Sequence, residues 1–258
     1  MHTSRLLLAA WLCLMPSLAR AALALDGTAS GTANSSASTV ATTGGITTTI
    51  GTDILVAVIS DYANGAAPTV SSIAGCSLSW SKRGSTGSLS MASTFQGNNE
   101  IWQAKAGGST CSAATVTATL SGAPAAGVSD IVVFAVSGAD NTTPFDVNGS
   151  IPKSGHGASG TPTVSAVSTT AANTMLIAVS NIDSARPNPG SGYTTINTTN
   201  TADQDSQYKV VSATQSSITV SFGGTSSLFG WVMITDALQQ AGAPPPTTNF
   251  VFTPAIVP

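Results

Sequence analysis

Residues 130–138, DIVVFAVSG, form a continuous valine-rich apolar run of strand length, bounded on both sides by turn-forming residues. Runs of the same kind occur at 54–59 (ILVAVI), 175–179 (MLIAV) and 231–235 (WVMIT). No window carries a sustained helical period, so the chain is expected to be all-β. Around these runs one series of segments is written twice. The first reads 54–59, then 77–81 with Trp80, 100–104 with Trp102, 115–120 and 131–136. The second reads 175–179, 192–196 with Tyr193, 207–210 with Tyr208, 218–222 and 231–235, with shorter connections. Many short strands separated by Gly, Ser and Asn turns predict an antiparallel, jelly-roll-like β-sandwich. Its two pseudo-repeats, about 52–138 and 173–237, are expected to share one core in a single domain over 22–238, with two small sandwiches as the alternative.

Alternation assigns the faces. Leu78 and Trp80 point together, as do Trp102 and Ala104, while Val116, Ala118 and Leu120 oppose three threonines. Residues 25–51 carry few large side chains, and one or two edge strands are expected between 38 and 50. The stretch 144–164 reads as a long glycine-rich surface loop. The four strongest runs are apolar on both faces, whereas antiparallel sandwich strands usually leave one face to water. Loops or another subunit must therefore cover the outer faces.

The N-terminus has the three parts of a secretory signal over residues 1–21: His2 and Arg5, an apolar stretch at 6–15, and Ala19-Arg20-Ala21. The apolar stretch is short for a membrane span. Removing it removes Cys13 and leaves Cys76 and Cys111, and an even pair in an oxidising compartment is expected to form a disulfide. The location expected is secreted: extracellular, at a cell or particle surface, or periplasmic. From residue 239 the chain changes character. Pro244-Pro245-Pro246 forms a stiff spacer, followed by the apolar Phe250-Val251-Phe252. This tail is either frayed or a strand that docks on a neighbour's sheet edge.

Charged residues are 7% of the chain, against about a quarter in an average domain. With a net charge of −3 there is no basic patch, which argues against nucleic-acid and anionic-membrane binding. Catalytic constellations are thin. There is no G-x-S-x-G elbow, His156 has no sequence partners, and Glu100, the single glutamate, reads as a strand-end cap. The chain is therefore expected not to be an enzyme, and no cofactor is expected. Calcium is the metal with the most available ligand chemistry, at Asp203 with Asp205 or at Asp140 with Asp146, but neither has the spacing of a calcium loop, and solvated loops are the simpler reading. Trp80, Trp102, Tyr208 and Trp231 read as core side chains, which leaves Tyr62 and Tyr193 as candidates for an exposed, glycan-binding aromatic platform.

The order of the first series, with I-W-Q-A at 101–104, T-V-T-A-T-L-S-G at 115–122 and F-A-V-S-G-A-D at 134–140 followed by P-F-D at 144–146, resembles a little-characterised β-sandwich domain of secreted bacterial proteins and phage structural proteins. The likeness covers about residues 26–238. It implies a fold and an extracellular or particle-surface setting, and it brings no catalytic or binding residues. The function expected is that of a structural or surface protein assembling with copies of itself or with a larger particle. The alternative is a monomeric carbohydrate-binding or adhesive module.

Overall fold

The structure, a computed structural model, describes residues 21–92, 94–182, 188–198, 204–224 and 230–242. The signal segment before Ala21, Asp203 and the tail with Phe250, Val251 and Phe252 lie outside the described residues.

Strands dominate. The first set is β1 (Ala24–Asn34), β2 (Thr39–Ala41), β3 (Ile54–Asn64), β4 (Val70–Ala74), β5 (Trp80–Ser85), β6 (Leu89–Ala92), β7 (Phe95–Lys105), β8 (Thr117–Leu120) and β9 (Val128–Ser137). The second set is β10 (Lys153–Gly157), β11 (Thr163–Val167), β12 (Thr174–Ile182), β13 (Thr194–Thr198), β14 (Gln204–Val211), β15 (Ile218–Ser221) and β16 (Trp231–Gln239). The first set makes a large sheet of order β1-β9-β3-β7-β5, with β6 also on β7, and a small sheet β2-β8-β4. The second makes a large sheet β10-β16-β12-β14-β13 and a small one, β11-β15. Matched in chain order, the two large sheets have the same strand order, and every ladder is antiparallel.

The antiparallel sandwich expected from the sequence is thus what forms, divided unevenly between large and small sheets. Three apolar layers separate four sheets. Leu55, Ala57, Ile59, Ile131 and Trp102 pack on Val40, Ala118 and Leu120 of the first small sheet. The opposite face of the same strands, Val56, Val58, Val132 and Phe134, packs on Ile177, Val179 and Ile234 of the second large sheet. The outer face of that sheet, Leu176, Ala178 and Met233, meets Val164, Val167 and Val220 of β11 and β15. This corrects the covering expected for the doubly apolar runs. Sheets of the same chain cover them. Each large sheet lies between the other large sheet and its own small one, so both faces of β3, β9, β12 and β16 are interior.

Two further expectations change. Residues 144–164 are not one loop, since β10 pairs along β16 from Lys153↔Thr235 to Gly157↔Trp231. The small-residue stretch from Ala24 to Asn34 is the eleven-residue edge strand β1. Its small side chains allow close approach: a Cβ on Gly31 would lie 1.9 Å from the Ala41 carbonyl oxygen, so a larger residue there would push β2 away.

Candidate functional site

The polar chemistry of this molecule is mostly inside it. Asp53, Asp61, Glu100, Asp130, Asp146, Asp205 and Asp236 are all buried, which is seven of the eleven acidic residues in the chain. Several flank the apolar runs, where a strand carries them into the layers. Glu100 lies within β7, not at a strand end as expected. Its Oε2 accepts from Trp102 Nε1 at 2.9 Å and pairs with Lys82 Nζ at 2.8 Å. Its Oε1 accepts from the Val70 amide at 3.1 Å and from Asn98 Nδ2 at 3.2 Å. Asp61 shares that face and accepts from the Ser129 hydroxyl. Burial, with added repulsion from Glu100 and Asp130, pushes the Asp61 carboxyl up to about 8 despite that bond. On the opposite face, Ser60 Oγ donates to Asn99 Oδ1 at 2.6 Å, and Asn99 Nδ2 donates to the Val232 carbonyl at 2.9 Å, which joins the two large sheets.

A second network crosses the same interface. Arg83 of β5 donates from Nε to Asp236 Oδ2 of β16 at 2.8 Å, and from Nη2 to Asp236 Oδ1 at 3.3 Å and the Asp146 carbonyl at 3.1 Å. Its guanidinium lies 5.1 Å from the Phe145 ring centroid. Burial raises Asp236 to about 6, although Arg83 acts in the other direction. The Asp146 carboxylate accepts from the amides of Asn148, Thr170 and Ala171, and Asp140 accepts from those of Thr142 and Thr143. These two aspartates, weighed above as calcium ligands, serve as turn locks. Asp205 is interior to β14. Among the described residues no group of three or more His, Cys, Asp or Glu is placed to hold a metal.

The pair closest to an acid–base arrangement is Asp26 with Asp53. Burial, followed by the hydrogen bond and charge of Asp26, pushes Asp53 up to about 7. For Asp26 burial acts upward but is outweighed by hydrogen bonds from Thr49 Oγ1, Asp53 and the Thr49 and Ile50 amides, which leave it lowered. One proton shared between two carboxyls suits a dyad, but Asp53 is closed to solvent, so no substrate reaches it. The pair fastens β1 to the 49–53 turn. His156, expected in a loop, is an exposed residue of β10 opposite Val232.

The tyrosine candidates do not form one platform. Tyr62 lies in β3, half-buried, and stacks on Phe95 with ring centroids 4.6 Å apart and planes 2° from parallel. Tyr193 precedes β13 on the outer face of the second large sheet, with Lys209 Nζ 5.6 Å from its ring centroid. Burial raises its phenol to about 12. It borders a groove of about 330 Å³ whose other walls include Leu176, Lys209, Val211, Ile218 and Thr219. Trp102 and Trp231 are buried, and Trp80 packs half-buried on the first core. The Arg83–Asp236 pair and the buried Asp53, Asp61 and Asp130 were not singled out from the sequence. The available signal was a charged residue abutting an apolar run in a chain with little charge.

Cys76 and Cys111 are joined by a disulfide. No described helix is long and apolar enough to cross a membrane. Fold and interior together define a class: an all-β antiparallel protein of four stacked sheets with an acidic interior. Compared with family models, curated proteins and solved structures, the chain gives no match.

Proposed function

We propose that this is a secreted, non-enzymatic structural or surface protein that assembles with copies of itself. The observation that carries this reading is where the charge lies. With most of its few carboxylates inside, the exterior is a hydroxyl-rich surface with little like-charge repulsion to hold copies apart. The disulfide suits an oxidising compartment, as does the signal-like N-terminus. The resemblance to β-sandwich domains of secreted and phage structural proteins supports the same setting. The carboxyls with raised pKa values, Asp53, Asp61 and Asp236, are interior, away from any surface a substrate would meet. The test is the solution mass of residues 22–258 by light scattering over a hundredfold range of concentration. Masses at multiples of one chain are expected, rising with concentration. A single-chain mass throughout would sink the reading.

One observation favours the second reading, a monomeric glycan-binding module: the half-exposed Tyr62–Phe95 stack. Saturable glycan binding by a monomer, lost on Tyr62→Ala, would place that reading first.

A further inference from the structure

The two small sheets differ by one strand, and the difference leaves an open edge. In the first half β8 has two neighbours, β2 and β4; among the described residues β15, which holds the same place in the second half, has only β11. The start of a β4 counterpart is present. Ser121 N–H donates to the Thr69 carbonyl at 2.7 Å just before β4 begins, and Gly223 N–H donates to the Asn188 carbonyl at 2.8 Å in an antiparallel bridge. From Thr69 the first chain segment continues through Ile73, which pairs with Ala118, and turns at Gly75, whose carbonyl receives the Leu78 amide. From Asn188 the second segment reaches the matching turn two residues later, at Gly190, whose carbonyl receives the Tyr193 amide. The rest of the strand is missing from the second half.

The 330 Å³ groove lies where that strand would run. Val220 pairs with Val164 on the β11 side and Phe222 N–H donates to Pro162. The backbone of Thr219, one residue out of phase, therefore faces the open edge. The floor is apolar and incompletely covered: Leu176 is buried, and Tyr193, Val211 and Ile218 are half-buried at the margin of the third core. In the first half Ile73 of β4 helps to cover the matching surface. A strand laid on β15 would satisfy the edge and present alternate side chains to this floor.

We propose that this edge receives residues 247–253 of a neighbouring copy, TTNFVFT, as an antiparallel strand, with Phe250 and Phe252 on the floor. The proposal deepens the self-assembly reading and rests on it. The segment is the longest stretch without proline beyond residue 243, lies between Pro246 and Pro254, and places two large apolar side chains two residues apart. Its source follows from direction. The chain leaves the described fold at Gly242, after Gln240 N–H meets the Asn173 carbonyl at the start of β12 and Ala241 N–H meets the Gly138 carbonyl, which is at the same end of the sheets as Ile218. The β4 sense, antiparallel to β15, requires entry from the Ser221 end. Four residues separate Gly242 from Thr247, and four residues in an extended proline conformation reach about 12 Å at most. That is roughly the length of β15 itself, which leaves no chain to turn back. A chain's own segment would meet the edge in the parallel sense; a neighbour's meets it in the β4 sense. Each copy then offers one groove and one strand, a head-to-tail arrangement that grows as an open chain.

The test uses residues 22–258 with two blocks. Thr219→Pro removes the edge donor while leaving the Val220 and Phe222 bonds to β11. Phe250→Asp with Phe252→Asp disables the strand and lies outside the sandwich, so it does not depend on the sandwich tolerating a change. By light scattering, the unaltered chain is expected to exceed two chain masses at high concentration. Each blocked chain is expected at one chain mass, and an equimolar mixture at two and no higher. If either blocked chain assembles as the unaltered one does, the edge-and-strand inference is overturned while self-assembly stands. If the unaltered chain stays at one mass, whether its own segment is docked or not, both fail.

Discussion

Arg83 reaches from β5 of the first half to Asp236 in β16 of the second, where it neutralises a carboxylate that is fully enclosed. A buried pair of this kind contributes little net stability compared with an apolar pair, because both charges lose water. Breaking it from one side is costly, since the other charge remains. Arg83→Met is expected to destabilise the protein by about 3–5 kcal/mol in urea unfolding, and Arg83→Met with Asp236→Leu to recover most of that loss. An Arg83→Met variant as stable as the parent would mean that water reaches Asp236. Neither partner is near the other in sequence, and each sits beside an ordinary strand pattern. No local rule could have paired them.

At the scale of the element, the parts legible in the sequence were those with large side chains. Each of the five matched segments overlaps a strand where valine, isoleucine and aromatics alternate or run, although 77–81 enters β5 only at Trp80, 115–120 enters β8 only at Thr117 and 192–196 enters β13 only at Thr194. Matching failed in register. Aligned on Ile54-Leu55-Val56-Ala57-Val58 and Met175-Leu176-Ile177-Ala178-Val179, the ladders place Ser206, not Gln207, at the position of Ile101, because Val58 pairs with Ile101 and Val179 with Ser206. Nothing polar in Ser-Gln-Tyr-Lys marks which residue faces inward. Strands β1 and β10 were missed since small and polar residues dominate them, a pattern that reads as a loop, and β4 because Val70 and Ile73 are separated by two serines and do not alternate; pairing with their neighbours' edges makes them strands. Tyr62 and Tyr193 were legible as residues near turns, but the groove beside Tyr193 was not, since it results from a strand that ends early. The disulfide acts on elements too. It ties the turn after β4 to the segment before β8 across 35 residues, and chain-entropy estimates for a loop of that size give about 4 kcal/mol. Reduction, or Cys76→Ser with Cys111→Ser, is expected to lower the urea midpoint accordingly. An unchanged midpoint would mean that the unfolded chain is already compact there.

For the whole molecule, enclosing acids between sheets sets how stability varies with pH. Burial is the first cause of the raised values at Asp53, about 7, Asp61, about 8, and Asp236, about 6, against 3.8 when exposed. Between 3.8 and those values the folded chain holds protons that the unfolded chain has released, so their contribution is complete below about pH 4 and is lost as pH rises towards 8. Asp26 and Asp140 are lowered and act in the opposite sense, losing their contribution only as pH falls below 3.8. The melting temperature is therefore expected to peak near pH 4 and fall steadily to pH 8, with Asp61→Asn flattening the upper part of the decline. A peak at neutral pH would contradict the enclosed acids.

The two ends of the fold touch: Gln240 Nε2 donates to the Ala21 carbonyl at 2.6 Å, and Ala241 N–H to Gly138. The segments that lead into β1 and out of β16 therefore lie side by side. Joined there and reopened at the exposed turn around Val147, the same strands would be read in a rotated order, second half before first, with every ladder intact. The order in which the chain links the strands is thus separable from the ladders that hold them together.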